Sequence, residues 1–201
     1  PGAAGVRQRR HPRAGVVGHY LVETPVPQMG VEEQVFTVQD GPGGDSHILK
    51  FTRDGRFLMQ VGEPGQGVDS NSMTHFSRVT KVSFDQNGDE AFIGDGYGNK
   101  RVVVVDAESG EFLRYWGAYG NRPDDADLGA FDPDAPPAQQ FRGPVFCADV
   151  STDRMVYVCD RQSNRVQVFT TGDVFIQEAF FQPESLSEGD GCGVAFSADP
   201  E

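Results

Sequence analysis

Three stretches of this chain superimpose on one another, and a polypeptide that repeats a unit of this size has few ways to bury its apolar faces. The first reads QVFTVQDGPGGDSHILKFTRDGRFLMQVG from Gln34 to Gly62. The second reads KVSFDQNGDEAFIGDGYGNKRVVVVDAESGEFLRYWG from Lys81 to Gly117, and the third VFCADVSTDRMVYVCDRQSNRVQVFTTGDVFIQEAF from Val145 to Phe180. In each, an apolar run ends in an aspartate (Asp40, Asp95, Asp160) and a short polar loop follows. A basic or imidazole residue (His47, Arg101, Arg165) then opens a β-branched run. A glycine-containing turn leads into a last run headed by Phe57, Phe112 or Phe175. Short Val/Ile/Phe/Tyr runs separated by Gly, Asn and Asp read as antiparallel strands joined by hairpins.

Each unit offers up to four strands, as in Lys81–Asp85, Ala91–Asp95, Arg101–Asp106 and Phe112–Gly117 of the second. One four-stranded sheet cannot hide both of its faces. Stacking such sheets radially covers the faces between neighbours, so the expected fold is an all-β propeller. About three blades are present, near 34–62, 80–117 and 144–181, with the start of another at 192–201, and an irregular segment at 1–33. Within the last stretch, Gly193 to Ser197 reads as the inner strand of a further blade, so the ring is expected to be incomplete, as in a piece of a longer propeller. The aspartates step by 55 residues from Asp40 to Asp95 and by 65 from Asp95 to Asp160, and the excess lies in two loops, Glu63–Arg78 and Ala118–Arg142.

Charge narrows the function. Thirty acidic against seventeen basic residues give a net charge of −13, which repels phosphate backbones and argues against a nucleic-acid partner. No apolar run is long enough for a membrane-spanning helix. The carboxylates of the 118–142 loop lack the spacing of a calcium loop and read as a solvated acidic segment. Cys147 and Cys159 lie symmetrically about the turn near Asp153, a spacing that would let them face each other across a hairpin. They are expected as free, half-buried thiols rather than as part of a disulfide framework. The opening Pro1-Gly2 shows no leader, which says nothing about export.

The segments DSHILKFTRDGRFLMQVG, DGYGNKRVVVVD, FLRYWGAYGNRPDD, DPDAPPAQQFR and VYVCDRQSNRVQVF resemble the NHL repeats of bacterial six-bladed propellers, many of them exported. The resemblance runs from about Val35 to Phe180, and it implies a secreted or periplasmic location. More distantly the chain resembles the peptidyl-α-hydroxyglycine α-amidating lyases, propellers with a central zinc held by histidines of successive blades. That resemblance puts Tyr97, within Asp95-Gly96-Tyr97-Gly98-Asn99, on a catalytic tyrosine, and Arg161, within Asp160-Arg161-Gln162-Ser163-Asn164-Arg165, on a functional arginine. The zinc ligands are not carried over. The first falls on Ser46 with His47 one place later, and the second falls in Pro144-Val145-Phe146, where Phe146 offers no donor. Zinc catalysis uses three protein ligands and an open position, so His47 is the single metal candidate here. Zinc or calcium belongs, at most, to a complete propeller.

Two classes of function follow. The first is a binding or scaffold propeller whose loop face takes a small molecule, peptide or protein, with Asp95, Arg101, Asp160 and Arg165 as candidate ligand contacts or, alternatively, as ion pairs that pin loops. The second is a lyase-like metalloenzyme whose remaining ligands lie in other blades. Self-association through exposed blade edges is a further expectation.

Overall fold

The structure, a computed structural model, describes residues 18–23, 34–40, 47–52, 54–65, 67–182, 185, 189 and 193–197, and for the first two stretches the backbone alone. Its strands form three four-stranded antiparallel sheets in which chain order is also spatial order. The first sheet holds β1 (Gly18–Glu23), β2 (Gln34–Asp40), β3 (Ile48–Thr52) and β4 (Phe57–Val61). The second holds β5 (Val79–Phe84), β6 (Glu90–Asp95), β7 (Arg101–Asp106) and β8 (Phe112–Trp116). The third holds β9 (Val145–Val150), β10 (Met155–Asp160), β11 (Arg165–Thr170) and β12 (Phe175–Phe180). The three sheets match the three repeats.

The sheets stack face to face, each inner strand lying against the preceding sheet, so that β5 and β6 pack on β9 and β2 packs on β5. This explains why β7 reads Val102-Val-Val-Val105 without alternation. Val103 and Val105 join the core shared with the first sheet, which includes Ile48 and Val61. Val102 and Val104 join the core shared with the third, which includes Val145, Ala148 and Phe169. A strand covered on both faces has no need of polar positions, whereas the outermost strand β12 has no fully buried residue. Close approach of the sheets also dictates glycine at 96, where an added Cβ would lie 2.2 Å from the carbonyl oxygen of Val145.

Three expectations are corrected. The segment read as irregular contributes β1, which pairs with β2 along its whole length; its few apolar residues were masked by the prolines around them. Residues 193–197 form no strand, because no strand among the described residues pairs with them and an unpaired strand has no ladder. They nevertheless lie where a next inner strand would pack: Val194 touches the Cys147–Cys159–Val166 cluster and Phe196 meets Tyr157 edge-on at 5.1 Å. Finally, Cys147 and Cys159 are not free thiols. They are directly opposed on β9 and β10 with Cα atoms 4.9 Å apart, and they form a disulfide.

Candidate loop-face site

The β6–β7 and β10–β11 loops emerge at one end of the stack, together with the two long connections between blades. The aspartate and arginine that recur in the repeat hold that end together. Asp95 Oδ2 accepts from Arg101 Nε at 2.8 Å and from Asn99 Nδ2 at 2.7 Å, while Oδ1 accepts from the Ser77 N–H. The Arg101 guanidinium then donates to the carbonyls of Ser70, Ser72 and His75, clamping the β4–β5 connection. Burial pushes the Asp95 carboxyl upward, against the pull of Arg101, Asn99 and Ser77. The third blade repeats the device, with Arg165 Nε on Asp160 Oδ2 at 2.9 Å and Arg165 Nη2 on the Gln140 carbonyl. All four side chains are almost wholly buried. Of the two roles expected for Asp95, Arg101, Asp160 and Arg165, the contacts seen are those of ion pairs that pin loops. Asp160 pairs with Arg165, five residues on.

Tyr97 and Arg161, by contrast, come together. Phe146, on the inner strand β9, has the Tyr97 ring edge-on at 5.9 Å and the Arg161 guanidinium 5.6 Å from its ring centre. Tyr97 is largely exposed, its backbone tied to Arg78 through the Tyr97 N–H and through Arg78 Nη2. Between the second and third blades these residues border a cavity of about 320 Å³, which Gly96, Gly98, Lys100, Arg142, Pro144 and Gln162 also line. Backbone carbonyls orient two of its cations. Lys100 Nζ donates to Ala126 O at 2.6 Å, and Arg142 Nη1 to Leu128 O at 2.9 Å and Gly129 O at 2.6 Å. A carbonyl is neutral, so these contacts place the charge without cancelling it. On a chain of net charge −13, the lining of this cavity holds three basic side chains and no acidic one.

Sequence reasoning found Tyr97 and Arg161 but missed Lys100, Arg142 and Phe146. Lys100 stands beside the repeating Arg101, and Arg142 ends a loop read as solvated. Only stacking of the blades brings them together. His47 immediately precedes β3, and its Nδ1 is buried without a hydrogen-bond partner. Among the described residues, no three His, Cys, Asp or Glu side chains converge on a point. The donors present do not fit the zinc centre implied by the lyase resemblance, since Phe146 stands where a ligand would be needed. His75 bonds Ser72 Oγ through Nδ1 at 2.8 Å within its own loop. Trp116 is buried against Phe169, and Tyr119 anchors the β8–β9 connection by donating to Glu178 at 2.9 Å, so neither forms an open stacking platform.

Comparison with known proteins places this geometry. Two solved structures, of U3-55K and of the RRP9 WD40 repeats, each superpose on 84% of this chain with a TM-score of 0.54 at 16% identity, and the match takes in 41% and 40% of those chains. The fold is a β-propeller. No family model matches the chain. In sequence it is similar to the peptidyl-glycine alpha-amidating monooxygenase of Mus musculus, 28% identical over 120 residues, and to a probable peptidyl-alpha-hydroxyglycine alpha-amidating lyase of Caenorhabditis elegans, 29% identical over 135. These matches take in 60% and 67% of this chain but 11% and 30% of the two relatives. No helix among the described residues of the propeller is long and apolar enough to cross a membrane.

Proposed function

We propose that this propeller is a binding module whose loop face holds the anionic group of a small molecule or peptide in the cleft between its second and third blades. The observation that carries this reading is the convergence of Lys100, Arg142 and Arg161 around one polar cavity beside the exposed Tyr97. Arginine offers a planar fork to a carboxylate or phosphate, and Tyr97 supplies a hydroxyl and a ring edge. The NHL-type character of the blades belongs to the same reading. Calorimetric titration of the full chain with N-acetylglycine and with inorganic phosphate tests it. Losing one charge-assisted hydrogen bond weakens binding by about tenfold or more, so Arg161→Ala and Lys100→Ala should each do so. Absence of saturable binding by either probe would remove the proposal.

A second reading is favoured by one observation, the packing of both Tyr97 and Arg161 against Phe146. These are the positions at which the resemblance to the amidating lyases puts catalytic groups. In that reading the metal ligands come from elsewhere in the full-length protein. Stoichiometric zinc together with turnover of an α-hydroxyglycine peptide would decide for it.

The Cys147–Cys159 disulfide supports an oxidising location, secreted or periplasmic, because reducing compartments keep thiols reduced.

A further inference from the structure

On the other side of Arg142 lies a second cavity, of about 340 Å³, between the β8–β9 connection and the rim of the third blade. Its character differs from that of the first. Phe131, Pro133, Pro136 and Pro137 form the wall contributed by the connection, and Phe180 at the end of β12 faces them. Such a volume with apolar walls and few polar groups is typical of a small-ligand site.

The polar groups of this cavity fall into two kinds. Asp132 is turned onto its own loop, where its carboxylate accepts the Asp134 N–H at 3.0 Å, and Arg165 is engaged by Asp160, Gln140 and Tyr119. Ser163 and Arg142 are not completed in this way. Ser163 is 4% exposed and its hydroxyl has no hydrogen-bond partner. Arg142 spends Nη1 on the connection, yet its Nε–H is buried and unpartnered as well. Buried donors without partners are rare in folded proteins and call for a group that completes them. A guanidinium N–H with a hydroxyl matches a carboxylate, and the proline and phenylalanine walls match an aromatic or branched aliphatic body.

We propose that this cavity binds a small aryl or branched-alkyl carboxylate, at a site that adjoins the cationic cleft and shares Arg142 with it. Both unpartnered atoms are closed to bulk water, so binding of this kind requires the proline-rich wall to shift outward.

Phenylacetate is a suitable probe, followed by ligand-observed saturation-transfer NMR and calorimetry on the full chain. Saturable binding is expected. Because the carboxylate contacts are charge-assisted, Ser163→Ala should weaken it about fivefold or more, and 2-phenylethanol, which keeps the ring but lacks the charge, should bind about tenfold more weakly. Ala135→Trp, which fills the cavity, should abolish binding with the far-ultraviolet circular dichroism unchanged. The proposal is overturned if phenylacetate does not bind, if the alcohol binds equally well, or if only water occupies the site in a phenylacetate-soaked crystal. It is also overturned if Lys100→Ala removes binding while Ser163→Ala leaves it intact, since the probe would then be reporting the cationic cleft. Should Ala135→Trp fail to fold, the contrast between Ser163→Ala and Lys100→Ala still decides.

Discussion

Asp95 and Arg101 meet at 2.8 Å with neither side chain exposed, and 65 and 64 residues later Asp160 and Arg165 meet at 2.9 Å in the same way. The pair closes the β6–β7 or β10–β11 loop and at the same time holds the connection that enters its blade. In a fold whose blades are joined by long loops, this device ties each connection to the sheet that follows it.

Removing one partner of such a pair leaves the other buried and uncompensated, at a cost of about 3–5 kcal/mol. Arg101→Leu and Arg165→Leu are each expected to destabilise the protein by roughly that amount, read from urea unfolding midpoints. An isosteric apolar replacement of both partners should cost less than either single change. Single variants that unfold at the wild-type midpoint would show that the clamps are dispensable.

The Cys147–Cys159 bridge closes a loop of 12 residues between adjacent strands. Chain-entropy arguments assign such a loop a stabilisation of about 3 kcal/mol. Replacing both cysteines with alanine should lower unfolding free energy by roughly that much while leaving the blades stacked. Alkylation of denatured protein followed by peptide mass spectrometry offers a direct check. Cys147 and Cys159 should be modified only after reduction, and modification without reductant would contradict the bridge.

Acid should loosen the β7–β8 turn. The backbone N–H and hydroxyl of Ser109 donate to Asp106 Oδ1, both at 2.7 Å, and hold its carboxyl below the ordinary value of 3.8. A carboxyl whose folded pKa is depressed contributes stability above its unfolded pKa and loses it as pH falls through the folded one. Asp106→Asn should therefore be less stable than wild type at neutral pH, and the difference should shrink below about pH 4. Asp106 is partly exposed, so the effect is small. A difference that is constant from neutral pH to about pH 2 would show that ionisation of Asp106 is not involved.

Much of the fold was legible in the chain itself. The recurrence of Asp95 with Asp160, and of Arg101 with Arg165, marked the units, and the valines of β7 marked a strand. The first strand was not legible, because its partner β2 and not its own composition makes it a strand. Of the loop face, Tyr97 and Arg161 stood out by resemblance. Lys100, Arg142 and Phe146 did not, because each contributes through a neighbour distant in sequence.

Local order in this protein, meaning strand, turn and hairpin, was determined by the residue pattern, since alternation, β-branching and turn glycines act over a few positions. What the aspartates and arginines do was decided by tertiary structure. The same side-chain types serve as sealed clamps at Arg101 and Arg165 and as cavity walls at Arg142 and Arg161, and only the packing of one blade on the next determines which of them water can reach.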